Sequence, residues 1–323
     1  MRVLVLGATG YLGGHIVEHL RALPGVWVLR AGRGDRSRPR PTPGPSAAPP
    51  AAEEPDPAVD LATVDPSELA TLLWELSPDA VVNCAGAVGG DALRQTEVNA
   101  RGPAVLCAAL REAVPDVRLV HLGSAAEYGP GEPGHPVAED HPTRPVGLYG
   151  AAKLAGTLAV TDSGLNAVVL RVFNPVGPGA PPTSLPGRFA AELRRALPDG
   201  VVRVGDLSAH RDFVDARDVA RAAAAAALAP RRLPKVLNIA RGHARPVRDV
   251  AEGLARAAGF GGRIEERGAG PARSAAVAWQ QADITAAGEA LDWRPHHTLG
   301  ESLADLWKAA ETGPGAEEEE TPR

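Results

Sequence analysis

The stretch RVLVLGATGYLGGHIVEHLRAL, residues 2–23, decides the fold of this chain. RVLVL (2–6) is an apolar run that reads as a strand covered on both faces. YLGGHIVEHLRAL (11–23) sets Leu12, Ile16, Val17 and Leu20 on one face of a helix. Between them, Gly7, Gly10 and Gly13 are spaced G-x-x-G-x-x-G. The first glycine permits a tight turn and the second lets a pyrophosphate approach the backbone. The third lets helix and strand pack closely, and the phosphates meet the free N–H groups at the helix N-terminus. A glycine triplet alone is a weak signal, but between a strand and a helix it is a specific one.

The same alternation continues outward. VWVLR (26–30), DAVVNCA (79–85), VRLVHLG (117–123) and NAVVLRVF (166–173) read as strands, with helices expected near 91–113 and 147–160. Apolar strands separated by helices form a parallel sheet, and right-handed crossovers wind it doubly. The expected fold is therefore α/β: a Rossmann-type doubly wound parallel sheet with a smaller C-terminal substrate-binding α/β lobe.

Residues 1–173 are assigned to a dinucleotide-binding domain whose core is completed by about 208–240, and 174–207 with 241–312 to the substrate lobe. Later helices are expected near 186–196, 215–229 (Asp215 as N-cap), 246–258, 283–291 and 299–311, with strands at 201–204 and 235–240. Two segments break the pattern. Residues 34–57 are dense in proline and small residues and read as a mobile surface insert. The acidic tail, 313–323, reads as disordered.

Composition narrows the function classes. A chain of 323 residues can bury a sizeable core. A net charge of −5 without a basic face leaves no footprint for nucleic acid. No run of 18 apolar residues suggests a membrane span, and the opening MRVLVLG carries no leader pattern, so a cytoplasmic location is expected. Cys84 and Cys107 sit in apolar runs as small hydrophobes, and no metal-ligand cluster is seen.

The second strand reports on the dinucleotide. An NAD site places a carboxylate at its end for the adenosine ribose hydroxyls. Here Arg30 stands there, with Arg33 three residues on, and a guanidinium suits a 2′-phosphate. NADP(H) is therefore expected, with NAD(H) as the alternative. YGAAK (149–153) sets Tyr149 and Lys153 one helical turn apart. The ammonium lowers the phenol's pKa, so the pair can exchange a proton with a carbinol oxygen. Ser124, at a strand end, can hydrogen-bond the same oxygen.

These motifs together resemble the extended short-chain dehydrogenase/reductases, in the nucleotide-sugar epimerase/dehydratase/reductase branch. The resemblance runs through GATGYLG (7–13), NCAG (83–86), EVNARG (97–102), GSAAEYG (123–129) and YGAAK (149–153). It continues through RVFNPVGPG (171–179), GDLSAHRDFVDARDVARA (205–222) and LDWRPHHTLGESLADLWK (291–308). It implies Ser124, Tyr149 and Lys153 as catalytic residues, with Asn99 supporting the lysine. Cofactor contacts are implied at Gly7, Thr9, Gly10, Tyr11, Leu12, Gly13, Arg30, Arg33, Asp60, Leu61, Ala85, Gly86 and Val176, as well as Tyr149 and Lys153. Substrate contacts are implied at Ser124, Ala125, Asn174, Arg188 and Arg211, the last on a diphosphate. For Arg211 a salt bridge to Asp212 or Asp215 is the competing reading. A homodimer built on the helices near 91–113 and 147–160 is implied as well.

Within this branch the residues after Ser124 act as a filter. The 4,6-dehydratases carry acid/base side chains there, including a glutamate, and the UDP-glucuronate decarboxylases keep that glutamate. The C3/C5 epimerases use a cysteine near the second position and a histidine after a later Gly-Pro. Here the positions hold Ala125, Ala126 and Gly179, which transfer no proton. Glu127 is expected to point elsewhere and is given no role. The surviving chemistries are 4-keto reduction of a 4-keto-6-deoxy sugar nucleotide and, second, 4-epimerisation with bound NAD. The closest likeness is to GDP-4-keto-6-deoxymannose reductases and related deoxysugar 4-ketoreductases. A non-catalytic dinucleotide-binding regulator and a reductase of a non-sugar ketone are the remaining alternatives.

Overall fold

The protein is described by a computed structural model covering residues 1–33, 57–198, 200–268 and 277–311. The expected mobile insert, apart from Pro57, and the acidic tail lie outside the described residues.

Six parallel strands form the central sheet: β1 (Arg2–Leu6), β2 (Trp27–Ala31), β3 (Ala80–Asn83), β4 (Arg118–Ser124), β5 (Asn166–Val172) and β10 (Val236–Ile239). Their order across the sheet is β10-β5-β4-β3-β1-β2. Chain order runs from β1 outward to β2, then returns to the other side of β1 at β3. The strand order reverses between β1 and β3, and their carboxyl ends open a crevice where such sheets bind ligands. Beyond β2, a parallel bridge between Gly32 and Ala58 extends the sheet.

Helices cover both faces. On one face α1 (Tyr11–Arg21) packs against α7 (Ala216–Leu228). The stripe expected of α1 is the one it buries: Ile16, Val17 and Leu20 enter the core, and Leu12 packs at its border. Truncating Leu20 to alanine would cost about 2–5 kcal/mol. α7 meets this core with alanines, Ala222, Ala223 and Ala226 among them, so two helices fit side by side over the narrow sheet. Asp215 caps α7 as expected, accepting from Arg217 N at 2.8 Å.

The other face carries α2 (Pro66–Leu76), α4 (Gly102–Ala113) and α5 (Leu148–Thr161) over Leu4, Leu6, Val81, Leu119 and Val169. The single helix expected near 91–113 is interrupted. A short α3 (Ala92–Thr96) runs into a π turn, Glu97–Arg101, before α4 begins. Such a turn inserts a residue into the helical ladder and is frequent at functional sites; this one carries Asn99.

A second core lies C-terminal to the sheet. β6 (Pro175–Val176) pairs with β9 (Val214–Asp215), β8 (His210–Asp212) with β11 (Ala244–Pro246), and β7 (Val201–Val204) with β12 (Arg263–Glu266). α6 (Leu185–Ala196), α8 (Val247–Ala257) and α10 (Leu299–Glu311) pack Phe189, Leu193, Leu254, Leu303 and Trp307 together here. α9 (Thr285–Leu291) returns to the main sheet beside β10.

Candidate active site

The glycine turn joins β1 to α1 at the crevice. Gly7 has φ +76°, and a Cβ there would lie 2.8 Å from Ala85 N, at the end of the neighbouring β3. A Cβ on Gly13 would lie 2.2 Å from the Gly7 carbonyl oxygen. Both positions therefore exclude any side chain. Gly10 caps α1 with no side chain over the first helical amides, and Thr9 and Gly10 are exposed. This cradle of bare backbone N–H groups fits a pyrophosphate. Leu12 is half-buried behind it. Tyr11 donates its hydroxyl to the Gly177 carbonyl (3.3 Å), and His15 Nε2 lies 2.9 Å from the Pro178 carbonyl. The loop that follows buried Val176 is thus tied to the first turns of α1.

Arg30 sits half-buried at the penultimate position of β2, paired with Val5. Arg33 is exposed beyond the strand end, where Gly32 lies beside Thr9. Both arginines thus lie at the end of β2, next to the glycine turn. Asp60 is bound to Arg94 (3.2 Å) and accepts from Ala62 N, so its carboxylate belongs to an ion pair at the rim. Leu61 is buried. Gly86 is exposed next to half-buried Ala85, whose N–H is held by Asn83.

β4 and α5 bring the candidate catalytic residues together. Ser124 ends β4 and is the N-cap of a tight 3-10 turn, Ala125–Glu127. Its Oγ accepts from Ala126 N (3.2 Å), while its own N–H donates to Glu127 Oε1 (2.7 Å). Tyr149 lies half-buried in the first turn of α5. Lys153, one turn on, is buried and donates to the Leu122 carbonyl of β4. Burial pushes the Lys153 ammonium down to about 8, opposed by the negative charge of Glu127.

Three expectations need correction. Asn99 does not support the lysine through its side chain: Nδ2 donates to the Ala87 carbonyl and Oδ1 accepts from Ala87 N. That pair fixes the NCAG loop instead. Ala125 is not a substrate contact, because it is buried against Tyr128, Val137, Phe173 and Ala240. The Asn174 amide donates to the Asp212 carbonyl (2.9 Å) at a φ of +22°, which ties one of its N–H groups to β8. Glu127 does have a role. It is fully buried, and Oε2 accepts from Arg171 Nε at 2.8 Å.

The competing partners of Arg211 are engaged elsewhere. Asp212 accepts from the backbone N–H groups of Arg241, Gly242 and Ala282, and Asp215 pairs with Arg217 and Ser302. Arg211 donates to the His210 carbonyl, and burial pushes its guanidinium down to about 10. It remains a cation at neutral pH, suited to an anionic group. Arg188 is exposed on α6.

Sequence reasoning missed the polar shell beneath the turn. The Tyr128 hydroxyl donates to Asn238 Oδ1, and Arg171 lies 4.4 Å over the Tyr128 ring. Gln280 donates to the carbonyls of Ala125 and Gly129, clamping the turn from the far end of the chain. One signal was available: an arginine inside the apolar run NAVVLRVF must find a partner when buried.

Comparison with known proteins agrees with this geometry. The model of the NAD dependent epimerase/dehydratase family matches residues 3–240. A dTDP-6-deoxy-L-talose 4-dehydrogenase (NAD(P)(+)) of Kitasatospora kifunensis is 38% identical over 98% of this chain and 97% of its own length. A GDP-6-deoxy-D-mannose reductase of Pseudomonas aeruginosa is 27% identical over 79% of each chain. The solved UDP-glucose 4-epimerase of Thermus thermophilus, in complex with NAD, superposes with a TM-score of 0.80 at 26% identity, over 97% of this chain and 99% of that one. With the family match spanning both the glycine turn and the Ser-Tyr-Lys constellation, the chain belongs to the NAD-dependent epimerase/dehydratase family, the extended short-chain dehydrogenase/reductases.

Proposed function

We propose that this protein reduces the 4-keto group of a nucleotide-diphospho-4-keto-6-deoxyhexose with NADPH. The observation that carries this reading is the composition of the turn after β4. Ser124 ends β4 where α5, which carries Tyr149 and Lys153, packs against that strand and turn, yet Ala126 offers no acid or base and Ala125 is in the core. The likeness to a deoxysugar 4-dehydrogenase, whose reaction in reverse is a 4-keto reduction, supports it and favours dTDP as the nucleotide.

A dinucleotide on the Gly7–Gly13 cradle supplies the hydride when bound. Tyr149 gives its phenolic proton to the C4 oxygen as that oxygen gains negative charge. Ser124 Oγ donates a hydrogen bond to the same oxygen, and Lys153 lowers the phenol's pKa. Arg211 holds the diphosphate. Arg30 and Arg33 favour the 2′-phosphate of NADPH.

The test is net NADPH oxidation with an NDP-4-keto-6-deoxyhexose. Stoichiometric loss of NADPH absorbance is expected. Interconversion of C4 epimers of an unoxidised sugar nucleotide, without net oxidation, would instead establish the 4-epimerase that the Thermus thermophilus neighbour brings to mind.

We also propose a homodimer on the α3–α4 segment and α5. Leu148 and Leu158 of α5 and Leu93 of α3 are large, exposed apolar side chains, as an interface requires. Sedimentation should show a dimer, and Leu158→Glu should give monomers. Among the described residues, no helix is long and apolar enough to cross a membrane.

A further inference from the structure

Lys153 and Glu127 approach β4 from different elements and meet at the same strand edge. In a β-strand, the carbonyl of one residue and the N–H two residues on point to the same side. Lys153 takes the Leu122 carbonyl and Glu127 takes the Ser124 N–H. β3 ends at Asn83, opposite His121, so it does not cover this part of β4. Gly123 makes the room: a Cβ there would lie 2.8 Å from Glu127 Oε1 and 2.8 Å from Val169 Cγ1.

The other groups around the lysine are neutral. His121 faces it from β4 and Cys84 from the end of β3. Burial and the lysine's own charge hold the His121 imidazole well below its usual range, and burial raises the Cys84 thiol to about 12. Asn83 donates to His121 Nδ1, in keeping with a neutral ring protonated on Nε2. Tyr149 stands one turn earlier on α5. Against Glu127 itself lie Arg171 of β5 and Tyr128, whose phenol burial raises to about 12; Arg171 also donates to the Glu139 carbonyl from the 130–146 loop. Glu127 is thus the carboxylate that faces the ammonium among the described residues, and Arg171 is its counter-ion.

We infer that Glu127 is a positioning residue of the active site. Its buried carboxylate, anchored by Arg171, fixes the backbone of Ser124 and supplies the negative charge that keeps Lys153 protonated. It touches neither substrate nor cofactor and acts through those two residues. The catalytic half of this inference rests on the reductase reading above. The electrostatic half concerns the protein alone.

Lys153 can be watched directly, because the chain contains only three lysines, Lys153, Lys235 and Lys308. In protein carrying ¹³C-labelled lysine side chains, Lys153→Met assigns the Lys153 signal, and its titration is followed by NMR. Glu127→Gln keeps an acceptor for Ser124 N–H but removes the charge. It should lower the Lys153 midpoint by about half a pH unit or more. Arg171→Gln leaves the carboxylate uncompensated and should raise the midpoint by a similar amount, which decides the matter even if E127Q does not fold. A midpoint within about 0.2 unit of wild type in the folded variants overturns the inference, since a merely structural role would not move it. In the reductase assay E127Q should lower kcat about tenfold with KM for the sugar nucleotide within about twofold. Unchanged kcat in an active enzyme also overturns it. If the wild type turns over no ketosugar, the reductase reading fails and the NMR titration still decides the role of Glu127.

Discussion

The two turns that frame the crevice are built on opposite principles. The Gly7–Gly13 turn offers backbone alone, and its geometry requires the absence of side chains at Gly7 and Gly13. The Ser124–Tyr128 turn works through side chains, and its geometry is imposed by residues far along the chain: Arg171, Asn238 and Gln280. A backbone site is written locally, in glycine spacing. A side-chain site is written in pairs whose members meet only after folding.

This difference accounts for what the sequence revealed and what it hid. The strand–glycine–helix pattern, the apolar runs of the parallel strands and the Tyr149–Lys153 spacing are local, and each was readable from periodicity or i, i+4 geometry. The π turn at Glu97–Arg101 was not, because one inserted residue leaves no compositional trace. Ala125 was assigned by resemblance, and Glu127 was set aside by taking the turn as a continuation of the strand, alternating sides with Ala126. The chain instead tightens into a 3-10 turn closed by a capping box, which rotates Glu127 inward toward Arg171. Asn99 was assigned by resemblance to the lysine, but its amide matches the backbone of Ala87 on both sides.

Substitutions in the two turns should fail in different ways. Tyr149→Phe has the largest expected effect on rate, a loss of about 10²–10⁴ in kcat with NADPH binding retained in fluorescence titration. A small loss would mean that another group gives the proton. Gly13→Ala should do the reverse, abolishing measurable NADPH binding, because its methyl meets the Gly7 carbonyl; retained affinity would show that the turn opens freely.

Stability should separate the turns further. Arg171→Met strands the buried Glu127 carboxylate and should cost about 3–5 kcal/mol in urea unfolding, whereas the double change Glu127→Leu with Arg171→Met should cost less. Additive losses would show that the two residues are not a coupled pair. Next, the rate of reduction should fall as pH rises through about 8, where Lys153 loses its proton and the phenol its nearby cation. A rate flat from pH 7 to about 10 would contradict a charged Lys153 as a participant. Smallest is Arg30→Asp, which should move the NADPH:NADH preference toward NADH by about tenfold in kcat/KM. An unchanged ratio would place recognition of the 2′-phosphate elsewhere.

The central claim is reduction at C4, and one labelling measurement tests it most directly. The enzyme is given NADPH deuterated on the transferred position and an NDP-4-keto-6-deoxyhexose, and the product is read by NMR. The account predicts one deuterium at C4 of a newly formed carbinol for each NADPH oxidised. An unlabelled sugar nucleotide interconverted between its C4 epimers, with the NADPH intact, would contradict it.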